Sequence, residues 1–403
     1  MWDRSLIPYI PTYSVLDSLV LDPSSGEKKD LLLFVDLRNC LQSIYMKEFV
    51  EYVCDIASRT SRIDTSILSA ILYFIEFHRK FAQSRNIEVS FIFFHEVGRS
   101  FYHENIMSSY KIARKLDPFY GLDDEYKDLF FQVLRKNMNL SVDVCNAMPS
   151  VCNIQLEHLE ADFIPYYLLR NNLIDAESKK VVIYSNDKDL FQCFSTTQGD
   201  KIKQLVKNKR TISVISRSDL MSFFLKDPGA NDLDCSYFPL VLAIGGDSSD
   251  SVPNIKNVGY KKAYKIARYM AKAGLSMDKI YDSVINDEPI FPSSLDYTPI
   301  HSITKVDKEE FNLVVSRNLK LVSFEVLCKF MERDLNLSKR ASIIRNSLDI
   351  LKKRSSYADF MKVCDALGIF RDEGTIFTIF EQYLNPEERK VAFSLVSPME
   401  PRF

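Results

Sequence analysis

The chain has 403 residues, enough for two or three domains with a substantial apolar core. Its 52 Lys and Arg nearly balance 54 Asp and Glu, for a net charge of −2, which excludes a uniformly basic coat but not local patches. An apolar fraction of 46% with only 11 Gly and 15 Pro excludes collagen-like and low-complexity chains. The eight Cys contain no C-x-x-C pair, so reduced, mostly buried thiols in a cytoplasmic setting are expected rather than a zinc site or disulfide framework. The first 30 residues lack a basic start followed by an apolar run. Apolar stretches of five or six residues fall far short of a membrane span, so no membrane role is expected.

In chain order, residues 1–30 read as an irregular N-terminal segment. L-L-L-F-V-D (31–36) is an apolar run ending in a carboxylate, the pattern of a buried parallel strand. V-S-F-I-F-F (89–94) and V-V-I-Y-S (181–185) repeat it, and T-I-S-V-I-S (211–216) alternates as a half-buried strand. Helical periodicity covers 45–57, 65–83 and 161–173. The basic run 201–210 reads as an exposed hairpin. Beyond residue 276 the pattern is helical only, over 309–319, 339–352 and 356–367. The expectation is an α/β parallel-sheet domain followed by a mainly helical C-terminal region.

The strand-like runs stop at acids: Asp36 after the first, His95 and Glu96 after the second, Asp187 and Asp189 after the third. Glu160 with Asp162, and Asp247 with Asp250, form two further pairs. In open parallel sheets the ligand crevice lies beyond the carboxyl ends of the strands, so these acids would converge. A lone Asp at a strand end is usually a turn former or helix cap. The joint placement is what argues for a site. Crowded carboxylates need cations, and hard oxygen ligands suit Mg²⁺ or Mn²⁺. Two such ions about 3.5–4 Å apart are the usual device for attack on a phosphodiester.

From Asn254 to Lys272 there are six basic residues and no acid. Lys261, Lys265, Arg268 and Lys272 share one helical stripe, while Ala263, Ile266, Ala267 and Met270 lie off it and can pack inward. Gly259 precedes them and can either take a positive φ or admit a phosphate close to backbone. Contacts of this kind hold the nucleic-acid backbone without base preference.

The ordered motifs from Leu31 to Lys272 resemble the flap endonuclease and 5′-3′ exonuclease family, its phage RNase H-like branch included. L-L-L-F-V-D-L-R-N is similar to the family's first metal-binding strand, L-E-A-D-F to its E-A-D-D element, and Y-S-N-D-K-D-L-F-Q to its D-x-D element. A-I-G-G-D-S-S-D-S-V-P-N-I-K-N-V-G-Y-K-K-A resembles the last metal ligands running into a helix-three-turn-helix. S-S-Y-K-I-A-R-K resembles the stretch in which Tyr110, Lys111 and Arg114 face the scissile phosphate. Phe163 stands at the last position of the E-A-D-D element, where the family has a carboxylate, and His95 where an Asp is common, with Glu96 adjacent.

The resemblance implies a PIN-like nuclease domain over 31–237, a helical arch over 99–151, and a helix-three-turn-helix over 238–275. The region 276–403 follows as the helical C-terminal part. It implies a first ion on Asp36, Glu160 and Asp162, with Glu96 or His95, and a second served by Asp187, Asp189, Asp247 and Asp250. Lys111 and Arg114 would stabilise charge on the phosphate. Lys256, Gly259, Lys261, Lys262, Lys265, Arg268 and Lys272 would hold duplex DNA, with a K⁺ ion at the turn. The implied activity is 5′-3′ exonuclease or flap cleavage of DNA flaps, nicks, 5′ ends or RNA–DNA hybrids, by a monomer, in replication primer removal or repair. A single-stranded-DNA-binding protein or a sliding clamp is the expected protein partner. The substitutions at 95 and 163 motivate one alternative, a non-catalytic binding factor on the same fold. A PIN-type single-strand ribonuclease is the other.

Overall fold

The structure is a computed structural model and describes residues 11–21, 29–38, 66–98, 100–111, 124–208, 211–351 and 357–366. Arg114 and the expected helix at 45–57 lie outside these residues.

Six strands form one sheet: β1 Asp30–Asp36, β2 Val89–Val97, β3 Val151–Glu157, β4 Lys179–Tyr184, β5 Ile202–Asn208 and β6 Thr211–Ile215. Their order is β3-β2-β1-β4-β5-β6. The first five in this order run parallel, and β6 closes antiparallel on β5. The chain builds outward from β1 through β2 to β3, then returns to β4 on the other side of β1. The reversal puts a topological switch point between β1 and β4, where a doubly wound sheet opens a crevice at its carboxyl edge.

Both faces of the sheet are covered, which is why its strands read as continuous apolar runs. Leu31, Leu33, Val35, Phe91 and Phe93 pack on one side, in a core shared with residues of helices Tyr13–Val20, Ser66–Arg85, Asp124–Asn146 and Tyr357–Ala366. Leu32, Phe34, Ile92 and Phe94 face the other side, with helices Phe163–Arg170, Phe238–Gly245, Tyr260–Lys272 and the C-terminal helices. The latter include Met277–Ile285, Lys308–Val322, Phe324–Arg333 and Leu335–Leu351.

Two expectations change. The 201–210 run does enter a hairpin, but β5 sits inside the sheet with Ile202, Gln204, Leu205 and Val206 buried, so it is not an exposed ribbon. Strand β3 had no expected counterpart; its Asn153 and Gln155 break the apolar run that marks the other parallel strands. Helix Asp124–Asn146, within the segment assigned to an arch, packs Phe130, Val133, Leu134 and Val144 into the core. Phe163 is fully buried against Tyr167 and Phe324, so the position of the missing E-A-D-D carboxylate belongs to the core under the C-terminal helices.

Candidate active site

The carboxyl ends of β1 and β4 are tied together. Ser185, the residue after β4, donates its hydroxyl to Asp36 Oδ2 at 2.9 Å, and Ser185 Oγ also accepts the Asp187 amide at 3.0 Å. Asp187 Oδ1 in turn accepts the Asp189 amide at 2.9 Å. This turn delivers both acids of the D-K-D element to the switch point without using both oxygens of either.

A second loop meets them. Gly246 leaves helix Phe238–Gly245 at φ +74°, and an added Cβ there would lie 2.4 Å from the Asn254 amide nitrogen. That close return lets Asp247 and Val252 pair through two 2.8 Å backbone hydrogen bonds, holding Asp250 at the loop's tip. Asp189, Asp247 and Asp250 can each offer an oxygen such that all three lie within 4.8 Å of one another. All three are buried.

Tyr110 and Lys111 reach the same place from the segment after β2. The Lys111 amide donates to the Asp250 carbonyl at 2.9 Å, with Lys111 itself at φ +56°. Its ammonium is paired with Glu160 Oε1 and lies 3.8 Å from Asp250 Oδ2. The Tyr110 hydroxyl donates at 3.2 Å to Asp250 and 3.3 Å to Glu160. His103 stacks beneath Tyr110, ring centroids 4.6 Å apart.

Electrostatics follow from this crowding. Burial, the largest effect, pushes the Asp162 and Asp189 carboxyls well above the ordinary range. Asp187 and Asp36 add to this for Asp162, and Asp187 does so for Asp189. Burial also raises Glu160, against the pull of Lys111, and Asp187, against its hydrogen bond from the Asp189 amide. Lys188 is the residue sequence reasoning passed over. Burial favours its neutral form, yet Asp189 and Asp247 outweigh that and hold it charged, with Nζ 2.6 Å from Asp247 Oδ2 and 3.0 Å from Ser249. Its signal was in plain view, a Lys between two acids. Arg38, two residues past Asp36, was also passed over; it donates to Glu96 Oε1 at 3.0 Å.

Strand parity separates the two candidates at the end of β2. Glu96 follows Ile92 and Phe94, on the face that also carries Asp36, and its Oε2 accepts the Ala161 amide at 3.3 Å. His95 follows Phe91 and Phe93 on the opposite face, buried beside Phe131, Leu134 and Met138. Burial lowers its pKa to about 4, leaving a neutral ring.

The donor set fits divalent cations. Oxygen donors dominate, two ammonium groups already compensate part of the charge, and Asp189 Oδ1 is buried without a hydrogen-bond partner. Asp36, Glu160, Asp187, Asp189, Asp247 and Asp250 are linked by the contacts above, and Asp162 joins them through the charges of Asp187 and Asp36.

The basic helix starts at Tyr260, with Gly259 as its N-cap. Gly259 has φ −92°, so of its two expected uses the left-handed conformation is ruled out; nothing lies within 4 Å of a Cβ built there, which leaves its backbone open to approach. The left-handed positions of the turn are instead Gly246, Ser251 and Asn257. Ala263, Tyr264, Ile266, Ala267 and Met270 are buried, while Lys256, Lys261, Lys262, Lys265 and Lys272 are exposed. Two acids restrain the stripe: Asp232 pairs with Arg268, and Asp227 lies 4.0 Å from Lys261.

No family model matches the chain, and no curated protein does. Solved structures do. A bacteriophage T5 protein co-crystallised with metal ions is 19% identical, with TM-score 0.50, over 79% of this chain and 99% of that one. The bacteriophage T5 flap endonuclease in a complex with DNA and metal ions is 17% identical, with TM-score 0.51, over 80% of this chain and 100% of that one. The T5 5′-exonuclease with bound divalent zinc is 18% identical, with TM-score 0.50, over 80% and 99%. The chain therefore has a mixed α/β, PIN-like nuclease fold, with a mostly parallel sheet. It is the fold of the flap endonuclease and 5′-3′ exonuclease family.

Among the described residues no helix is long and apolar enough to cross a membrane. Six cysteines lie among the described residues, all of them buried.

Proposed function

We propose that this chain is a metal-dependent structure-specific 5′ nuclease that hydrolyses phosphodiesters at 5′ flaps, nicks, 5′ ends and RNA–DNA hybrids. The observation that carries the reading is the meeting of carboxylates from β1, β4, the 158–162 turn and the 246–252 loop with Lys111 at one sheet edge. Bound in this cluster, Mg²⁺ or Mn²⁺, two ions in the reading favoured here, would supply Lewis-acid stabilisation of the phosphate and a lowered pKa for attacking water. Asp36, Glu160, Asp162 and Glu96 would hold one, and Asp187, Asp189, Asp247 and Asp250 the other.

The chain's own groups do the rest. Lys111 exchanges its carboxylate partner for a non-bridging phosphate oxygen, where a fixed cation in a dehydrated site is most effective. Arg114, three residues on, is assigned the same task. Tyr110 stands on His103 and bridges Glu160 and Asp250 through one hydroxyl. Lys256, Gly259, Lys261, Lys262, Lys265, Arg268 and Lys272 grip the duplex backbone, and a K⁺ ion at the turn from Val252 to Lys261 belongs to this reading. So do an arch drawn from the part of 99–151 outside helix Asp124–Asn146, action as a monomer in the cytoplasm, work beside a clamp or single-strand-binding protein, and a role in replication primer removal.

The test is incubation with Mg²⁺ or Mn²⁺ on labelled 5′-flap, nicked duplex, RNA–DNA hybrid and single-stranded RNA. Cleavage near the 5′ junction supports the proposal. Duplex binding without cleavage would make the chain a non-catalytic factor, and cutting of single-stranded RNA alone would make it a ribonuclease.

A further inference from the structure

At the outer edge of the sheet, along β3, lies an open groove of about 1040 Å³ that none of the proposed catalytic groups lines. Its walls are helix Phe101–Ile106, the end of β3 with His158, and helices Phe324–Arg333 and Leu335–Leu351. Two of the few large apolar side chains left exposed in the described residues, Phe101 at 50% and Ile343 at 47%, both face it.

Phe101 is held in a built platform. Its ring lies flat on His158, with centroids 4.0 Å apart and planes 11° from parallel. The Phe101 amide donates to the His158 carbonyl at 3.2 Å, and the His158 amide to the Val97 carbonyl at 3.0 Å. Gly98, at φ +81°, leaves room for the imidazole, since a Cβ there would lie 2.9 Å from His158 Nδ1. An aromatic ring stacked on one face and half open on the other presents a surface that any nucleobase can continue.

Across the groove stand Lys339 and Arg340, neither in an ion pair among the described residues, and Lys320, paired with Asp287 at 2.6 Å. Two acids share the lining. Glu157 is exposed, and Asp334 accepts the Leu337 amide at 3.3 Å. Along the chain, the groove lies close to the active site. Only three residue steps separate Glu157 from Glu160, at most about 11 Å of extended chain. Helix Phe101–Ile106 runs on to Tyr110 and Lys111 on the opposite wall.

We propose that this groove is a single-stranded nucleic-acid site that takes the unpaired 5′ segment of the substrate, with a base stacked on Phe101 and phosphates on Lys339 and Arg340. The proposal rests on the nuclease reading for its substrate, but its test does not need cleavage. With chelator present, anisotropy compares a labelled duplex bearing a twelve-nucleotide 5′ overhang with the same duplex blunt. The triple variant Phe101→Ala, Lys339→Glu, Arg340→Glu should lose about tenfold in overhang affinity, the scale of one stacked base and its phosphates, with blunt-duplex affinity unchanged. Phe101→Trp, in a Trp2→Phe background that removes the chain's single native Trp, should keep overhang affinity and show indole quenching on binding.

Unchanged overhang affinity in the triple variant, or no quenching of Trp at 101, overturns the proposal and leaves the groove to a peptide partner. Equal losses on overhang and blunt duplex overturn it as well. Absence of divalent-dependent cleavage by the unaltered chain on every substrate would sink the nuclease reading, while the chelated binding measurements still score the groove.

Discussion

Lys188 Nζ sits 2.6 Å from Asp247 Oδ2, joining the turn after β4 to the loop after helix Phe238–Gly245 through a partly buried ion pair. The two segments are distant in sequence, and their acids would repel if brought together bare. Lys188 supplies one positive charge at that seam. It therefore competes with a divalent ion for the same carboxylates. Lys188→Met is expected to lower the melting temperature of the metal-free protein and to raise its Mn²⁺ affinity tenfold or more, given the strength of charge pairs at this range. Calorimetric titration of Mn²⁺, with melting curves in chelator, measures both. Weaker Mn²⁺ binding in the variant would show that Lys188 helps to shape the site rather than to dilute its charge.

Removing acids should not act uniformly. Asp189 carries a buried oxygen without a partner and a carboxyl pushed well up by burial. Asp189→Asn should leave the metal-free melting temperature unchanged or higher and cut cleavage by at least 100-fold. Asp247→Ala should be equally inactive, yet it strands Lys188 and two hydrogen bonds from Ser249, so it should melt lower. Equal melting of the two variants would mean that Lys188 finds another carboxylate.

The difference between those two acids marks what sequence could not reveal. Strands β1, β2 and β4 were legible because parallel strands buried on both faces are apolar throughout and end at their acids. The C-terminal helices expected at 309–319, 339–352 and 356–367 fall within a few residues of Lys308–Val322, Leu335–Leu351 and Tyr357–Ala366. Strand β3 was hidden because the Asn153 side-chain amide is anchored by a fold-level contact, donating to Ser141 at 2.7 Å, that no local pattern records. The spacing of the acids gave their convergence. Which of them carries an internal cation depends on the meeting of two distant loops. The same holds for the basic stripe, whose restraint by Asp227 and Asp232 comes from a different segment.

That restraint refines the DNA-grip prediction. Arg268 is engaged by Asp232, whereas Lys265 and Lys272 stand exposed on the stripe without an ion pair among the described residues. Changing Lys261, Lys265 and Lys272 to Ala should weaken duplex binding regardless of sequence. For every phosphate that is no longer neutralised, the log–log salt slope should flatten by roughly 0.9. Arg268→Ala alone should change the slope less than Lys265→Ala. Filter binding between 50 and 200 mM salt decides it, and a triple-variant slope equal to wild type would turn this face toward solvent.

His78 sets a pH dependence far from the acids. It is fully buried, with Nδ1 2.8 Å from the Phe74 carbonyl and Nε2 2.7 Å from the Tyr184 hydroxyl, and burial lowers its pKa to about 4. The unfolded chain takes up this proton near pH 6.5, so between about 6.5 and 4 the unfolded state binds more protons and stability falls as pH falls. From pH 6.5 to 5 the loss is about 2 kcal/mol for this one ring. His78→Gln should flatten that limb by a comparable amount in urea titrations at pH 7 and 5. An unaltered acid limb would assign it to His95 and His103, whose pKa values burial also lowers, to about 4 and about 3.

The last prediction concerns the end of β2, where adjacent side chains point to opposite faces of the sheet. Glu96 lies on the face of Asp36, and its carboxylate is held by Arg38 and the Ala161 amide, one residue from Glu160. It also belongs to the same electrostatic neighbourhood, since its charge helps to raise both Glu160 and Asp162. His95 lies on the other face, against helix Asp124–Asn146. Glu96→Gln should therefore lower cleavage about 10- to 100-fold, the usual cost of losing a ligand's supporting carboxylate or a ligand bound through water. His95→Ala should leave cleavage near wild type while lowering the melting temperature, because it empties a buried position. If His95 were itself a ligand, its nitrogen would favour Mn²⁺, and His95→Asp would move the preference toward Mg²⁺ and raise activity with it. Measuring cleavage with each metal for wild type and the three variants separates these cases. Near-native activity in both Glu96→Gln and His95→Ala would show that Asp36, Glu160 and Asp162 complete their part of the site unaided.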